Sequence, residues 1–233
     1  MTALLLPAAV VGLNAFAALL VLARAPLYRT RLYRPMLLNI GLSLAPAVVL
    51  LLVLAGLVAV AVAAPSTVLL WTVVLIGGAA WLLLLPNSAY LITELNMSHR
   101  RGTESVPLWY DIVLTLSLAL SGVMNTVLNV YVVQAIYVLI AHPNTSRPLA
   151  GADSWVLAGV VLLLVTFGMY LGRYIRFNSW DIAHPASFAR KLGTYFREPG
   201  HARDALGFCL THTILLALVY LIVTGVPDAL LGG

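Results

Sequence analysis

The chain has 233 residues, of which 62% are hydrophobic and only 9% charged, with a mean hydropathy of +1.00 and a formal charge of +5. This composition excludes an ordinary soluble domain. It lacks the short alternating strands of a barrel, so the predicted fold is all-α: a polytopic transmembrane helical bundle, one integral-membrane domain over residues 1–233. The basic excess punctuates apolar runs, a pattern suited to anionic lipid headgroups of the bilayer, and no nucleic-acid partner is expected.

Six apolar runs follow one another, at about 3–23, 36–63, 67–85, 111–140, 154–172 and 206–226, near or above the roughly 20 residues that a helical crossing needs. No basic region precedes the first run, so it reads as a retained span rather than a signal peptide. The second and fourth runs exceed the minimum and should tilt, kink or project from the bilayer, with Pro46 as the kink in the second. Arg147 alone falls in an even-numbered connection; the other twelve of the thirteen Lys and Arg residues fall in odd-numbered ones. Positive residues favour the cytoplasmic side, so both termini are expected to be external. The single cysteine, Cys209, falls inside the last run and is expected to pack there.

In the first connection, Arg24, Arg29, Arg31 and Arg34 alternate with Tyr28, Leu32 and Tyr33, which reads as a basic anchor with interfacial tyrosines. The third connection opens with Pro86-Asn87-Ser88-Ala89-Tyr90-Leu91-Ile92-Thr93-Glu94. If an α-helix resumes after Pro86, then Tyr90, Thr93 and Glu94 share a face, and an acid lies at the membrane edge. In run four, Asp111, Thr115, Ser121, Gly122, Asn125, Thr126 and Asn129 fall within about 140° of arc at 100° per residue. Lipid cannot satisfy the asparagine amides, so this face should meet other helices or a wet cavity. Two readings stay open for it, interhelical packing and a ligand-lining surface.

Run five ends in Gly168-Met169-Tyr170-Leu171-Gly172, which permits close helix packing. Arg173 and Arg176 follow, three residues apart. They can snorkel to headgroups or form a fork for a carboxylate or phosphate. Beyond Pro185, residues 186–197 place Phe188, Leu192, Tyr195 and Phe196 on one side and most of the charge on the other, which predicts a short interfacial amphipathic helix. In run six, His212 falls at the depth of the arginine-rich stretch and reads as a packed hydrogen-bonding group.

The segments Pro86 to Leu95, Trp109-Tyr110-Asp111 and Gly172-Arg173-Tyr174-Ile175-Arg176-Phe177-Asn178-Ser179-Trp180-Asp181 together resemble the bacterial integral-membrane family called domain of unknown function 1361. The resemblance runs roughly from the second apolar run to the last. Its pattern maps onto Pro86, Asn87, Tyr90, Thr93, Glu94, Trp109, Asp111, Gly172, Arg173, Arg176, Asn178, Ser179, Trp180 and Asp181. Relatives often carry a histidine soon after the Thr-acid pair; here Met97 stands near that place and His99 just beyond. The resemblance implies membrane placement, in a bacterial cytoplasmic membrane, and membership of a common site. It implies no activity.

The expected topology sets Glu94, Asp111, Arg173, Arg176, Asn178, Asp181, His184 and His212 towards one face of the membrane. The reading this favours is a cytoplasm-facing pocket for a small anionic or phosphate-headgroup ligand. Arg173 and Arg176 would hold the anion; Asn87, Ser179 and Asn178 would orient it; Glu94, Asp111 and Asp181 would fix the arginines or exchange protons. Tyr90, Asn125 and His212 complete the candidate set. The alternatives are a lipid-directed hydrolase or transferase, a proton-coupled transporter, and a structural or assembly protein in which acids and arginines pair among themselves. Metal assistance from His99, His184 and His212 has little support, since no HExxH motif or histidine pair at four-residue spacing is present. No motif specifies a cofactor, and neither Ser88 nor Ser179 sits in a G-x-S-x-G elbow.

Overall fold

The computed structural model describes residues 5–63, 65–96, 105–142, 151–175 and 185–231, and every regular element among them is helical. In order these are α1 (Leu5–Tyr28), α2 (Arg34–Ala63), α3 (Thr67–Leu84), the short α4 (Pro86–Tyr90) with a 3₁₀ turn at Leu91–Asn96, and α5 (Leu108–Ala141). There follow α6 (Ala152–Tyr170) with a π-helical turn at Leu171–Ile175, α7 (Pro185–Arg197) and α8 (His201–Leu231). Six segments are long and apolar enough to cross a membrane: Leu5–Tyr28, Arg34–Ala63, Thr67–Leu95, Leu108–Ala141, Ala152–Ile175 and His201–Gly225. The protein is therefore a multi-pass membrane protein. Its exposed side chains, Leu51, Leu52, Val62, Ile76 and Leu139 among them, are the surface that meets lipid.

α1, α2, α5 and α8 are longer than the apolar runs because end residues outside those runs continue them. At 1.5 Å per residue, α5 with its 34 residues is about 51 Å long, well beyond a hydrocarbon core of about 30 Å. α2 runs unbroken through Pro46. α1 continues past Arg24 and Pro26 to Tyr28 and stops where Arg29 adopts a left-handed φ of 52°. The Thr30 N–H then reaches back 3.2 Å to the Ala25 carbonyl, closing the helix end in the manner usually supplied by glycine.

The chain forms two compact units, Met1–Leu128 and Asn129–Gly233, with the boundary inside α5. In the first unit, Ala17 and Val21 of α1, Met36 and Ile40 of α2, Leu91, and Tyr110, Leu114 and Leu118 of α5 make one buried apolar cluster. α2 and α3 approach closely through small residues: a Cβ added at Gly56 would lie 3.3 Å from Val73, and one added at Gly77 would collide with Val53. In the second unit, Gln134 of α5 donates to Ser154 of α6 at 3.1 Å and accepts from the Tyr220 hydroxyl of α8. Thr166 of α6 meets Thr213 of α8 at 2.8 Å.

At Gly122 of α5 the close approach in the first unit is to backbone. A Cβ there would come 2.5 Å from the Ser88 carbonyl oxygen and 2.8 Å from Leu91 Cβ, and backbone cannot move aside as a flexible side-chain tip can. Gly122→Ala should lower stability by about 1–3 kcal/mol through overpacking. Gly78→Ala, with nothing within 4 Å of the added carbon, should be neutral or stabilising by up to about 1 kcal/mol. Unfolding by SDS titration in mixed micelles reads both.

Candidate functional site

Along the first unit, the polar face of α5 is buried: Asp111, Thr115, Ser121, Asn125 and Thr126 are each at most 3% exposed, and Asn129, the first residue of the second unit, is 2% exposed. Thr115, Ser121 and Thr126 turn their hydroxyls back to carbonyls of their own helix. Asn125 instead reaches across. Its amide exchanges two hydrogen bonds with Asn14 of α1, at 2.9 and 3.0 Å, and donates to Ser43 Oγ of α2 at 2.8 Å. Ser43 and Ser88 then donate to each other's carbonyls, at 3.3 and 2.7 Å, which ties α2 to α4. One polar ladder thus links four helices.

Asp111 lies fourteen residues earlier on α5, about 21 Å along the axis. It is fully buried and accepts from Arg24 Nε at 2.9 Å, with Nη2 at 3.5 Å from the second carboxylate oxygen. Arg24 is itself only 5% exposed. The basic-anchor expectation therefore fails for this arginine: extension of α1 to Tyr28 carries Arg24 inside the helix, and a buried carboxylate across the bundle holds it. Beside this pair, the Tyr110 hydroxyl donates to the Leu20 carbonyl at 2.8 Å.

Glu94 is 8% exposed and accepts from Asn39 Nδ2 of α2 at 3.0 Å. The expected shared face of Tyr90, Thr93 and Glu94 is not what forms. After Tyr90 the chain tightens to a 3₁₀ turn, in which residues three apart eclipse. Glu94 therefore follows the buried Leu91 into the interior, while Thr93 donates to the Tyr90 carbonyl at 2.8 Å. Asn87 spans the junction at Pro86, donating from Nδ2 to the Leu84 carbonyl at 2.9 Å.

In the second unit, Tyr170 at the end of α6 is the centre of an aromatic group. Its ring stacks on Tyr174 at 4.6 Å and its hydroxyl lies 2.9 Å from that of Tyr195 on α7. Tyr195 stacks on His201 at 4.1 Å, and His201 Nδ1 lies 2.9 Å from the Tyr195 carbonyl. Since a carbonyl only accepts, the ring proton sits on Nδ1. The amphipathic helix forms as expected, and its Tyr195 and Phe196 are set against the protein core around Tyr170, Ala205 and Cys209 while Arg190 and Lys191 stay exposed. His212 is half-buried, stacked on Phe208 at 3.8 Å with Nδ1 2.9 Å from the Phe208 carbonyl, one helical turn back. Arg173 is half-buried in the π-helical turn.

Two clefts open around these aromatics. The first, of about 670 Å³, has Tyr170, Tyr174, Tyr195, His201, Arg203 and Asp204 on its walls. The second, of about 540 Å³, lies between Tyr174 and Ile175 at the end of the α6 span and Ser187, Arg190, Lys191 and Thr194 of α7. The acid on its wall, Glu198, lies 3.5 Å from His201 Nδ1.

Of the candidate residues, Glu94, Asp111 and Asn125 thus have interhelical partners in the first unit, Asn87 and Tyr90 shape the α4 turn, and Arg173 and His212 belong to the second unit. Arg176, Asn178, Ser179 and Asp181 lie outside the described residues, as do His99 and His184. Among the described residues no three His, Cys, Asp or Glu side chains converge as metal ligands would. Sequence reasoning missed Arg24, Asn14, Asn39 and Ser43 as partners, and missed the grouping of Tyr170, Tyr195 and His201. The unmatched polarity of Asn14 and Asn39 in apolar runs was the available signal.

A family model described as "Protein of unknown function (DUF1361)" matches residues 38–219. No curated protein and no solved structure matches the chain.

Removing one member of a buried ion pair strands the other. Arg24→Met should cost about 3–5 kcal/mol, and adding Asp111→Asn to it should restore a large part of that loss, because no charge is then left uncompensated. A double-mutant cycle by SDS titration reads the coupling.

Proposed function

The chain belongs to the DUF1361 family of proteins of unknown function, and from that premise we propose that it binds a small anionic or phosphate-headgroup ligand at a cytoplasm-facing polar site. The membrane is a bacterial cytoplasmic membrane, with both termini external and the odd-numbered connections inside. The observation that carries this reading is the basic cleft of the second unit, where the α6 span ends against Arg190 and Lys191. Its wall residue Ile175 immediately precedes Arg176 in the chain. Arg173, Arg176, Arg190 and Lys191 are the partners of the anion, Asn178 and Ser179 orient it, and Asp181 fixes the arginines. Guanidinium and ammonium donors make stronger hydrogen bonds to phosphate oxygens than neutral donors do.

A second reading, a structural or assembly protein, is favoured by the pairing of Asp111 with Arg24 and of Glu94 with Asn39. These acids then serve the bundle alone.

Titration calorimetry of the purified protein in zwitterionic detergent, with glycerol 3-phosphate as the probe, separates the two. Binding is expected, and uncharged glycerol should give none. Arg173→Gln, and the pair Arg190→Gln/Lys191→Gln, should each weaken binding roughly tenfold or more, about 1.5–3 kcal/mol per charged hydrogen bond, with the SDS unfolding midpoint unchanged. No binding by the native chain, or loss of fold in these variants, favours the structural reading. For orientation, alkaline phosphatase fused after Gly233 should be active, since that enzyme works only outside the cytoplasm.

A further inference from the structure

The aromatic cleft of the second unit has charge of both signs on its walls. Arg203 and Asp204, neighbours in the first turn of α8, both line it and both are exposed. Among the described residues neither forms an ion pair, with the other or with a third group. The tyrosines beside them have their hydroxyl protons already committed. A carbonyl only accepts, so the Tyr170 hydroxyl gives its proton to the His201 carbonyl at 3.3 Å. The 2.9 Å contact between the Tyr170 and Tyr195 hydroxyls then takes the Tyr195 proton, and the Tyr195 oxygen keeps only lone pairs for whatever enters the cleft. Tyr174, 54% exposed, stacks on Tyr170 at 4.6 Å, which holds its ring in place on the wall.

A carboxylate, an acceptor oxygen and an aromatic ring are all complementary to a positively charged N–H donor. The Arg203 guanidinium is complementary to an anion. We propose that this cleft binds a phosphoethanolamine group, a zwitterion of one primary ammonium and one phosphate. The ammonium meets Asp204, the Tyr195 oxygen and the Tyr174 ring; the phosphate meets Arg203. The site goes beyond the anion site of the second cleft and requires neither Arg190 nor Lys191.

Two arguments narrow the ligand. A quaternary ammonium would satisfy the ring but has no hydrogen to give Asp204 or Tyr195, so a primary amine is preferred. Position in the membrane selects phosphate as its companion. The α6 span ends at Ile175 and the α8 span begins at His201, so the cleft lies where two spans reach the headgroup layer. Leu206 and Leu210 of its wall, 60% and 49% exposed, continue into the apolar depth. Its volume of about 670 Å³ is that of a small-molecule site. A lipid headgroup and a soluble phosphoethanolamine present the same two charges, and experiment separates them.

The test is titration calorimetry of the full chain in a maltoside detergent, which brings no charged headgroup, with phosphoethanolamine, phosphocholine and ethanolamine. Phosphoethanolamine should bind, and phosphocholine roughly tenfold or more weakly, as loss of charge-assisted hydrogen bonds predicts. Asp204→Asn should weaken phosphoethanolamine by a similar factor. Tyr174→Leu should weaken it about two- to fivefold, and Tyr174→Phe, which keeps the ring, should not. Arg203→Gln should weaken phosphoethanolamine and leave ethanolamine, which has no phosphate, bound as before or tighter. All three positions are exposed, and an unchanged SDS unfolding midpoint shows the fold intact in each variant. Equal affinity of the native chain for phosphocholine and phosphoethanolamine overturns the proposal whatever the variants do. So does binding indifferent to Asp204→Asn in a folded chain. Binding lost with Arg190→Gln/Lys191→Gln and retained with Asp204→Asn overturns it too, because the phosphate then sits in the second cleft and the anion site stands alone. If glycerol 3-phosphate fails to bind while phosphoethanolamine binds through Asp204, the anion site falls and this one stands. Dioctanoyl phosphatidylethanolamine binding roughly tenfold tighter than phosphoethanolamine assigns the group to a lipid, and equal affinity assigns it to a soluble compound; the site is upheld in both cases.

Discussion

Asp111 and Arg24 are both buried in a part of the chain that crosses a membrane, and neither could remain charged there alone. Desolvating an ion costs several kcal/mol, and hydrocarbon offers no hydrogen bond in return. The pair therefore fixes how α1 and α5 lie against each other: Arg24 must arrive opposite Asp111. Once it does, Tyr110 reaches the Leu20 carbonyl and Asn125 comes opposite Asn14. The apolar cluster around Leu114 and Leu118 fills the space between, but apolar packing alone would tolerate a slide along the helix that these polar contacts do not.

The two units use polarity differently. In the first, amides, hydroxyls and carboxylates are turned inward and matched across helices, and Gly122 lets the α4 turn approach closely enough for Ser88 to meet Ser43. In the second, a comparable matching occurs around Gln134, Ser154 and Tyr220. Near α7, by contrast, cations stay exposed and the tyrosines leave hollows between them. A bundle whose helices are locked by internal hydrogen bonds can present such a surface without needing it for cohesion.

Much of this was legible in the sequence. The six spans follow from hydropathy, and the buried stripe of α5 follows from the spacing of Asp111, Asn125 and Asn129, because lipid forces polar side chains inward. The amphipathic α7 was equally plain from Phe188, Leu192, Tyr195 and Phe196. Arg24 was hidden because it stands among arginines, and composition cannot say where a helix stops; the left-handed Arg29 decides that. Glu94 was assigned to the wrong face because α-helical spacing was assumed where the chain tightens to 3₁₀. The contact of Tyr170 with Tyr195 and His201 brings the end of α6 to the α7–α8 junction, 25 and 31 residues further on, and no local pattern announces such a meeting. The arginine-asparagine-serine-tryptophan-aspartate segment that carries the family resemblance was conspicuous as a motif, and from Arg176 onward it lies outside the described residues.

The two members of the buried ion pair are 87 residues apart in the chain. A ribosome adding roughly 5–20 residues per second leaves about 4–17 s between their emergence. Until Glu94 is made, 70 residues after Arg24, the guanidinium has no carboxylate of this chain to meet, and its place near the end of the first helix lets it stretch to the water boundary while it waits. Assembly is therefore ordered in time: the first helix enters the bilayer with its cation held at the surface, and the arrival of the fourth draws that cation inward.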